Sequence, residues 1–313
     1  PSKNALPDGV FDSEVFSMWS YVTHWGDWNC GLGRIPAALL DVAHKNGVPV
    51  TSVAGIPNAN LSGNWKLALE TLSKVDANKA AAYMNYFGYD GFGYNSEYYE
   101  TYTRGRITKA IRDLHVNLNK LMKPINPIFE NVWYDGTQEN GYVNFDQGLT
   151  DNNKSIFGEA GKEAASLFFN YNWNRSWLLQ ESVDKAKSIG RDPLYIYAGI
   201  NMQGGEPHSM PRWTLLKNYP ISIGLWGAHS QNMFFESRGE KGSDPETKQR
   251  TYMLRTERWF SSGSRNPVNN LEIDNSLNYN ADNFDFAGMS SMMTARSSMS
   301  WNLTEEPFIS YFN

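Results

Sequence analysis

The sequence predicts an α/β chain folded as a (β/α)8 barrel, a single catalytic domain over residues 1–313. Three observations carry that prediction. Short apolar or aromatic runs alternate with helical stretches, which implies a mainly parallel sheet. Seven such units can be counted in 313 residues, with an eighth strand expected near 284–289, and that number favours a closed barrel over an open sheet. No Gly-x-Gly-x-x-Gly opens a helix after the first strand, which weakens a dinucleotide-binding fold.

The elements follow in order. Phe16–Trp25 is aromatic and β-branched and reads as a first strand. Ile35–Asn46 reads as a helix, with Pro36 in its first turn and Gly47 as its stop. Val48–Ile56 is a nearly continuous apolar run, the mark of a strand buried on both faces. Trp65–Leu72 and Asn78–Tyr86 are helical, and a strand follows at about Tyr89–Asn95. Arg104–Met122 is an amphipathic helix with Ile107, Ile111, Leu114, Leu118 and Leu121 on one stripe. Ile128–Tyr134 and Leu167–Trp173 read as strands, Ser176–Ile189 as a helix and Leu194–Ile200 as a strand. Arg212–Lys217, Ile221–Trp226 and Lys248–Phe260 supply a short helix, a strand and a helix.

Composition narrows the function. A net charge of −5 argues against a nucleic-acid groove, which needs a basic face. Aromatic residues make up 14 % of the chain and eleven are Trp, more than a core needs and well suited to the flat faces of sugar rings. The single cysteine, Cys30, rules out an internal disulfide or a Cys-based metal site, and the five His include no His-x3-His pair. No metal and no cofactor are therefore expected. No apolar run is long enough for a membrane span. The chain opens at Pro1 without a recognisable signal peptide; a secreted, cell-surface or periplasmic location is expected if one has been removed, and a cytoplasmic one is the alternative.

The chemistry centres on residues 83–99, YMNYFGYDGFGYNSEYY. Side chains alternate along a strand, so Gly91, Gly93, Asn95 and Glu97 share one face. Two glycines that open a pocket would then precede an amide and a carboxylic acid at a strand end, where barrel active sites lie. Asp90 has the opposite parity and reads as structural. The other strand ends gather Trp25, Trp133, Tyr134, Asp135, Asn170, Trp173, Asn201 and Trp226 on the same rim. An Asn and a Glu do not make the two-carboxylate pair of ordinary glycosidases. They suit a sugar that brings its own nucleophile, an N-acetyl group. Asn95 would orient the acetamido group and Glu97 would protonate the leaving oxygen, then deprotonate water. Tyr94, Tyr98 and Trp133 are expected to surround Glu97 and disfavour its charge. Tyr134 would donate a hydrogen bond near the same centre.

These residues make the chain resemble the family 85 glycoside hydrolases, endo-β-N-acetylglucosaminidases that cut the chitobiose core of N-glycans. The likeness runs through AHKNGVPV (43–50), YFGYDGF (86–92), Asn95-Ser96-Glu97, Trp133-Tyr134-Asp135-Gly136, FNYNW (169–173) and YAGI (197–200), over roughly residues 16–313. Gly93 departs from it, since a larger residue is usual there. The resemblance implies a (β/α)8 barrel with no accessory β-sandwich in this chain. It also implies N-linked glycans or glycoproteins as partners, catalysis by Asn95, Glu97 and Tyr134, and sugar contacts from the other rim residues. The alternatives are a family 18 chitinase-like enzyme, a non-catalytic glycan-binding barrel, or a two-carboxylate glycosidase pairing Glu97 with Asp135 or Asp90.

Overall fold

A computed structural model describes residues 19, 22–28, 32–33, 35, 37–201, 213–216 and 218–226. Seven strands lie in it: β1 (Trp25–Trp28), β2 (Val50–Asn60), β3 (Phe92–Tyr99), β4 (Val132–Tyr134), β5 (Ser166–Phe168), β6 (Ile196–Asn201) and β7 (Ser222–Trp226). They form one sheet in sequence order, and every neighbouring pair is parallel. Between them run α1 (Ala37–Lys45), α2 (Gly63–Leu72), α3 (Ala77–Phe87), α4 (Arg106–Met122), α5 (Lys154–Phe157), α6 (Ser176–Ser188) and α7 (Trp213–Leu216). Gly26 of β1 and Gly224 and Trp226 of β7 line one common cavity, so the sheet curls until its first and seventh strands face each other. This is the barrel-type α/β fold. The expected eighth strand (284–289), the expected helix at 248–260 and the loops at 202–211, 237–247 and 261–283 lie outside the described residues.

Local chemistry explains the element ends. The Asp76 carboxylate accepts from the backbone N–H of Asn78 and Lys79 and starts α3. Gly88 ends it at φ 77°, a conformation that costs a residue with a β-carbon about 1 kcal/mol or more. α4 has no capping side chain at its first position, Gly105. Its free N–H groups are met from elsewhere: the buried Glu100 carboxylate accepts from Ile107 N (2.7 Å) and Thr108 N (2.9 Å).

The core lies between the outer face of the sheet and the helices. Val50, Ala54 and Ile56 of β2 and Phe92, Tyr94 and Tyr98 of β3 face that layer, all nearly sealed from solvent. α4 contributes Ile107, Ile111, Leu114, Leu118 and Met122, whereas Leu121, expected in the stripe, is exposed. The buried face is turned because Thr108, His115 and Asn119 are also inside, each with a partner: Glu100, Tyr94 and the Glu163 and Ala164 carbonyls. Three hydrogen-bonded polar residues thus move the buried stripe by about a residue.

The expected strands differ most from the observed ones at β1 and β5, while β2 and β3 each run four residues past their expected ends. β1 starts at Trp25, where the expected strand ended, and pairs Trp25 with Val50. Of the expected strand, residues 16–18, 20 and 21 lie outside the described residues, and Trp19 packs on Trp25 with ring centroids 5.0 Å apart. The second is β5, which stops at Phe168 rather than Trp173. The Asn170 side chain accepts from Tyr171 N (2.7 Å), a local turn that ends the ladder despite the aromatic composition.

Candidate active site

The strand β3 divides its residues by parity. Tyr94, Ser96 and Tyr98 are buried against the helical side, while Gly93 and Asn95 line the cavity and Glu97 stands one step nearer the rim. The cavity has a volume of about 150 Å³. The two glycines of this face serve different ends. A β-carbon on Gly93 would stand 2.8 Å from Val53 Cγ2 and 3.2 Å from Thr51 Cγ2, so the glycine makes room for the β2 side chains that line the same cavity. A β-carbon on Gly91 would stand 1.8 Å from the Glu130 carbonyl, so that glycine permits a close backbone approach and does not open the pocket.

Asn95 and Glu97 are brought together as expected. Asn95 Nδ2 donates to Glu97 Oε2 (2.8 Å) and to the Ile56 carbonyl (3.3 Å). Both bonds use the amide nitrogen, so the amide oxygen is left as an acceptor. Tyr134 joins them across the β3–β4 step. Ser96 Oγ donates to the Tyr134 carbonyl (2.8 Å) and Thr137 Oγ1 donates to the Ser96 carbonyl (2.9 Å), which fixes one strand tip to the other. The Tyr134 ring packs against Phe145, Phe168 and Tyr171. Burial, with Tyr171 and the Glu97 charge adding to it, holds this phenol well above its usual range. Tyr134 therefore keeps its proton and is a hydrogen-bond donor at any physiological pH.

The other expected residues divide. Trp226 lines the cavity. Trp133 does not: it is buried on the outer face, with its indole N–H on the Thr137 carbonyl (2.9 Å) and its ring against Tyr94 and Tyr98. Strand parity is the reason, since Val132 and Tyr134 take the inner face. The three aromatics expected to surround Glu97 thus lie on the other side of the strand. Trp173 is fully buried and donates to the Gly199 carbonyl (2.6 Å). Trp25 packs on Trp19, while its neighbour Gly26 faces the cavity. Asn170 is spent on its turn. Asn201 ends β6 beside Trp226, and its side chain lies outside the description.

Asp135 is also turned inward, away from any sugar. It is buried and accepts from Gln147 N (2.6 Å), Asp146 N (3.3 Å) and Asn153 Nδ2 (3.3 Å). Burial raises its pKa to about 7 against the pull of those donors, a value that looks suited to acid catalysis. Its oxygens are enclosed in the loop, so accessibility outweighs the pKa and its role is to hold residues 146–153. Asp90, as expected, is structural, taking His44 Nε2 (2.8 Å), Val50 N (2.7 Å) and Asn126 Nδ2 (2.8 Å).

Sequence reasoning missed much of the cavity wall. His24, Thr51, Phe168, Tyr171 and Tyr197 line it. Below them the buried Glu130 carboxylate accepts from Tyr197 Oη (2.9 Å) and Ser166 Oγ, with His24 Nδ1 3.9 Å away. Placing β1 from Trp25 would have put His24 and Gly26 on the inner face by parity alone. Among the described residues no three His, Cys, Asp or Glu gather as a metal site, and no helix is long and apolar enough to cross a membrane.

Comparisons with known proteins bear on the family and the fold. The model of glycosyl hydrolase family 85 matches residues 2–313. The chain is 26 % identical over 201 residues to the cytosolic endo-β-N-acetylglucosaminidase 1 of Arabidopsis thaliana, covering 61 % of this chain and 28 % of that protein. It is similar in structure to the glycoside hydrolase domain of Endo-D from Streptococcus pneumoniae R6, with TM-score 0.64, 23 % identity, and coverage of 82 % of this chain and 40 % of that one. The chain thus spans well under half the length of either relative.

Proposed function

The chain belongs to glycosyl hydrolase family 85, and from that membership we propose that it is an endo-β-N-acetylglucosaminidase. Its substrates on this reading are N-linked glycans and glycoproteins, cut at the GlcNAc-β1,4-GlcNAc bond of the core by retaining, substrate-assisted catalysis. The observation that carries the mechanism is the 2.8 Å contact of Asn95 Nδ2 with Glu97 Oε2 above a cavity that Asn95 and Tyr134 both line.

The steps follow from those groups. The acetamido oxygen of the sugar attacks its own anomeric carbon. Asn95 holds the acetamido N–H through its side-chain oxygen and so fixes the attacking oxygen in place. Tyr134, protonated throughout, donates a hydrogen bond near the same group. Glu97 gives a proton to the departing oxygen and then takes one from the water that opens the oxazoline. Trp226 offers an aromatic wall for a sugar ring. A two-carboxylate mechanism finds less support, because Asp135 is buried and occupied by its loop and Asp90 by His44, Val50 and Asn126.

The test is incubation with a glycoprotein bearing high-mannose N-glycans. Mass spectrometry is expected to show loss of the glycan with one GlcNAc left on Asn, and Glu97→Gln is expected to bind glycan without cutting it. Full activity in Glu97→Gln would remove the assignment, and an inert wild-type chain that still binds glycan would favour a lectin.

A further inference from the structure

We propose that Tyr171 is a positioning residue for Tyr134, held in place by a loop that the Asp135 carboxylate anchors. This rests on the reading in which Tyr134 donates to the substrate's acetamido group.

The first support is a closed circuit of contacts. Asp135 follows Tyr134 directly in the chain. Its Oδ2 accepts from Gln147 N (2.6 Å), and the Gln147 side-chain oxygen accepts from Asn172 N (2.9 Å). Asn172 is next to Tyr171, whose ring faces that of Tyr134 with centroids 6.2 Å apart and planes at 43°. The circuit therefore returns to its start, and both tyrosines line the cavity beside Asn95. Phe145, from the same loop, packs on the other part of the Tyr134 ring at 5.9 Å. Gln147 sits at φ 58°, left-handed although it is not glycine. Such a backbone costs on the order of 1 kcal/mol and persists where the surroundings enforce it. Here the enforcing contacts are the bonds to Asp135 and Asn172.

The second support is electrostatic. Burial lifts both phenols above their usual range, and their mutual interaction favours the proton on Tyr134 and disfavours it on Tyr171. On this proposal the two phenols, whose rings face each other, share a hydrogen bond in which Tyr134 directs its proton toward Tyr171. A phenol carries one proton and one oxygen that can accept. When an acetamido oxygen arrives, Tyr134 turns its proton to the ligand and Tyr171 donates to the Tyr134 oxygen. Each bond polarises the next, so Tyr134 becomes a better donor than an isolated phenol.

The experiment is a kinetic cycle on a defined N-glycan substrate with wild type, Tyr171→Phe, Tyr134→Phe and the double variant. Tyr171→Phe is expected to lower kcat by about fivefold, the size of one hydrogen bond, with KM within about twofold. The double variant is expected to be no slower than Tyr134→Phe alone, because Tyr171 then has nothing to orient. Gln147→Ala, which leaves both phenols intact, is expected to lower kcat in the same direction. Wild-type kcat in Tyr171→Phe overturns the proposal. So does a double variant that loses the product of both single effects, or a rise in KM with kcat unchanged, which would make Tyr171 a binding contact only. An active wild type with an unimpaired Tyr171→Phe sinks this inference alone, whereas a wild type that cuts no glycan sinks it together with the reading on which it rests.

Discussion

On β3, Gly93 and Asn95 look into the cavity, with Glu97 at its rim, while Tyr94, Ser96 and Tyr98 look out at the helices. The inner set holds one glycine, one amide and one acid joined by a 2.8 Å hydrogen bond. The outer set is sealed: Tyr94 meets His115 and Trp133, and Tyr98 hydrogen-bonds Thr108 at 2.9 Å. A strand repeats every second residue, so one eight-residue segment carries chemistry on one face and cohesion on the other. The two faces should therefore fail in different ways.

The largest effect is expected on the inner face. Glu97→Gln should lower kcat by about 10²–10⁴-fold, the usual share of general acid–base catalysis, with a thermal midpoint close to wild type. A loss of stability of several kcal/mol in that variant would merge the two faces. Next comes the outer face: Trp133→Ala should cost about 3–5 kcal/mol in denaturant unfolding, because a buried indole leaves a cavity. Its residual folded fraction should still cut glycan with a near-normal KM. Gly93→Val tests the boundary between the faces. Its side chain would enter the space beside Val53, and binding of an oligosaccharide should weaken at least tenfold in titration calorimetry, about 1.4 kcal/mol.

A pH dependence is also expected on the outer face. Burial lowers the His115 pKa to about 3, from 6.5 in an unfolded chain. The unfolded state therefore binds more protons between those values, and stability is lost as pH falls from 6.5 toward 3. His115→Gln has no proton to gain, so its thermal midpoint should fall less than that of wild type between pH 6.5 and pH 4. Asp135 acts in the other direction. Its pKa is raised to about 7, so its contribution favours folding at low pH and is lost as pH rises through 7. A midpoint that falls in acid equally for both proteins would place the acid sensitivity elsewhere.

The barrel was legible because its signals are local. Helical stripes, a glycine after a helix and apolar strand runs lie within a few residues of each other, and α1–α4, α6, β2–β4, β6 and β7 fall where those signals put them to within about four residues. That Asn95 and Glu97 share a face was legible for the same reason, since two positions along one strand share a face whatever surrounds them, whereas Tyr134 was singled out by its place at another strand end and through the family resemblance. Trp133 and Trp173, expected at the sugar rim, are buried instead, because an aromatic at a strand end points to the cavity or to the core according to parity, and parity needs the true strand start. Tyr171 was missed because a turn by Asn170, rather than the strand, sets its direction.

Short-range periodicity and residue type were thus enough to name the architecture and the amide–acid pair, and the resemblance of several short motifs pointed to the family. Contacts between residues far apart in the chain decided the rest. Asp135 became an anchor through Gln147 and Asn153, Glu100 became the cap of α4, and Tyr171 came to face Tyr134. The physical reason is that a carboxylate or a phenol has the same chemistry in any chain. Which donors surround it, and whether water reaches it, is fixed only when distant segments close around it.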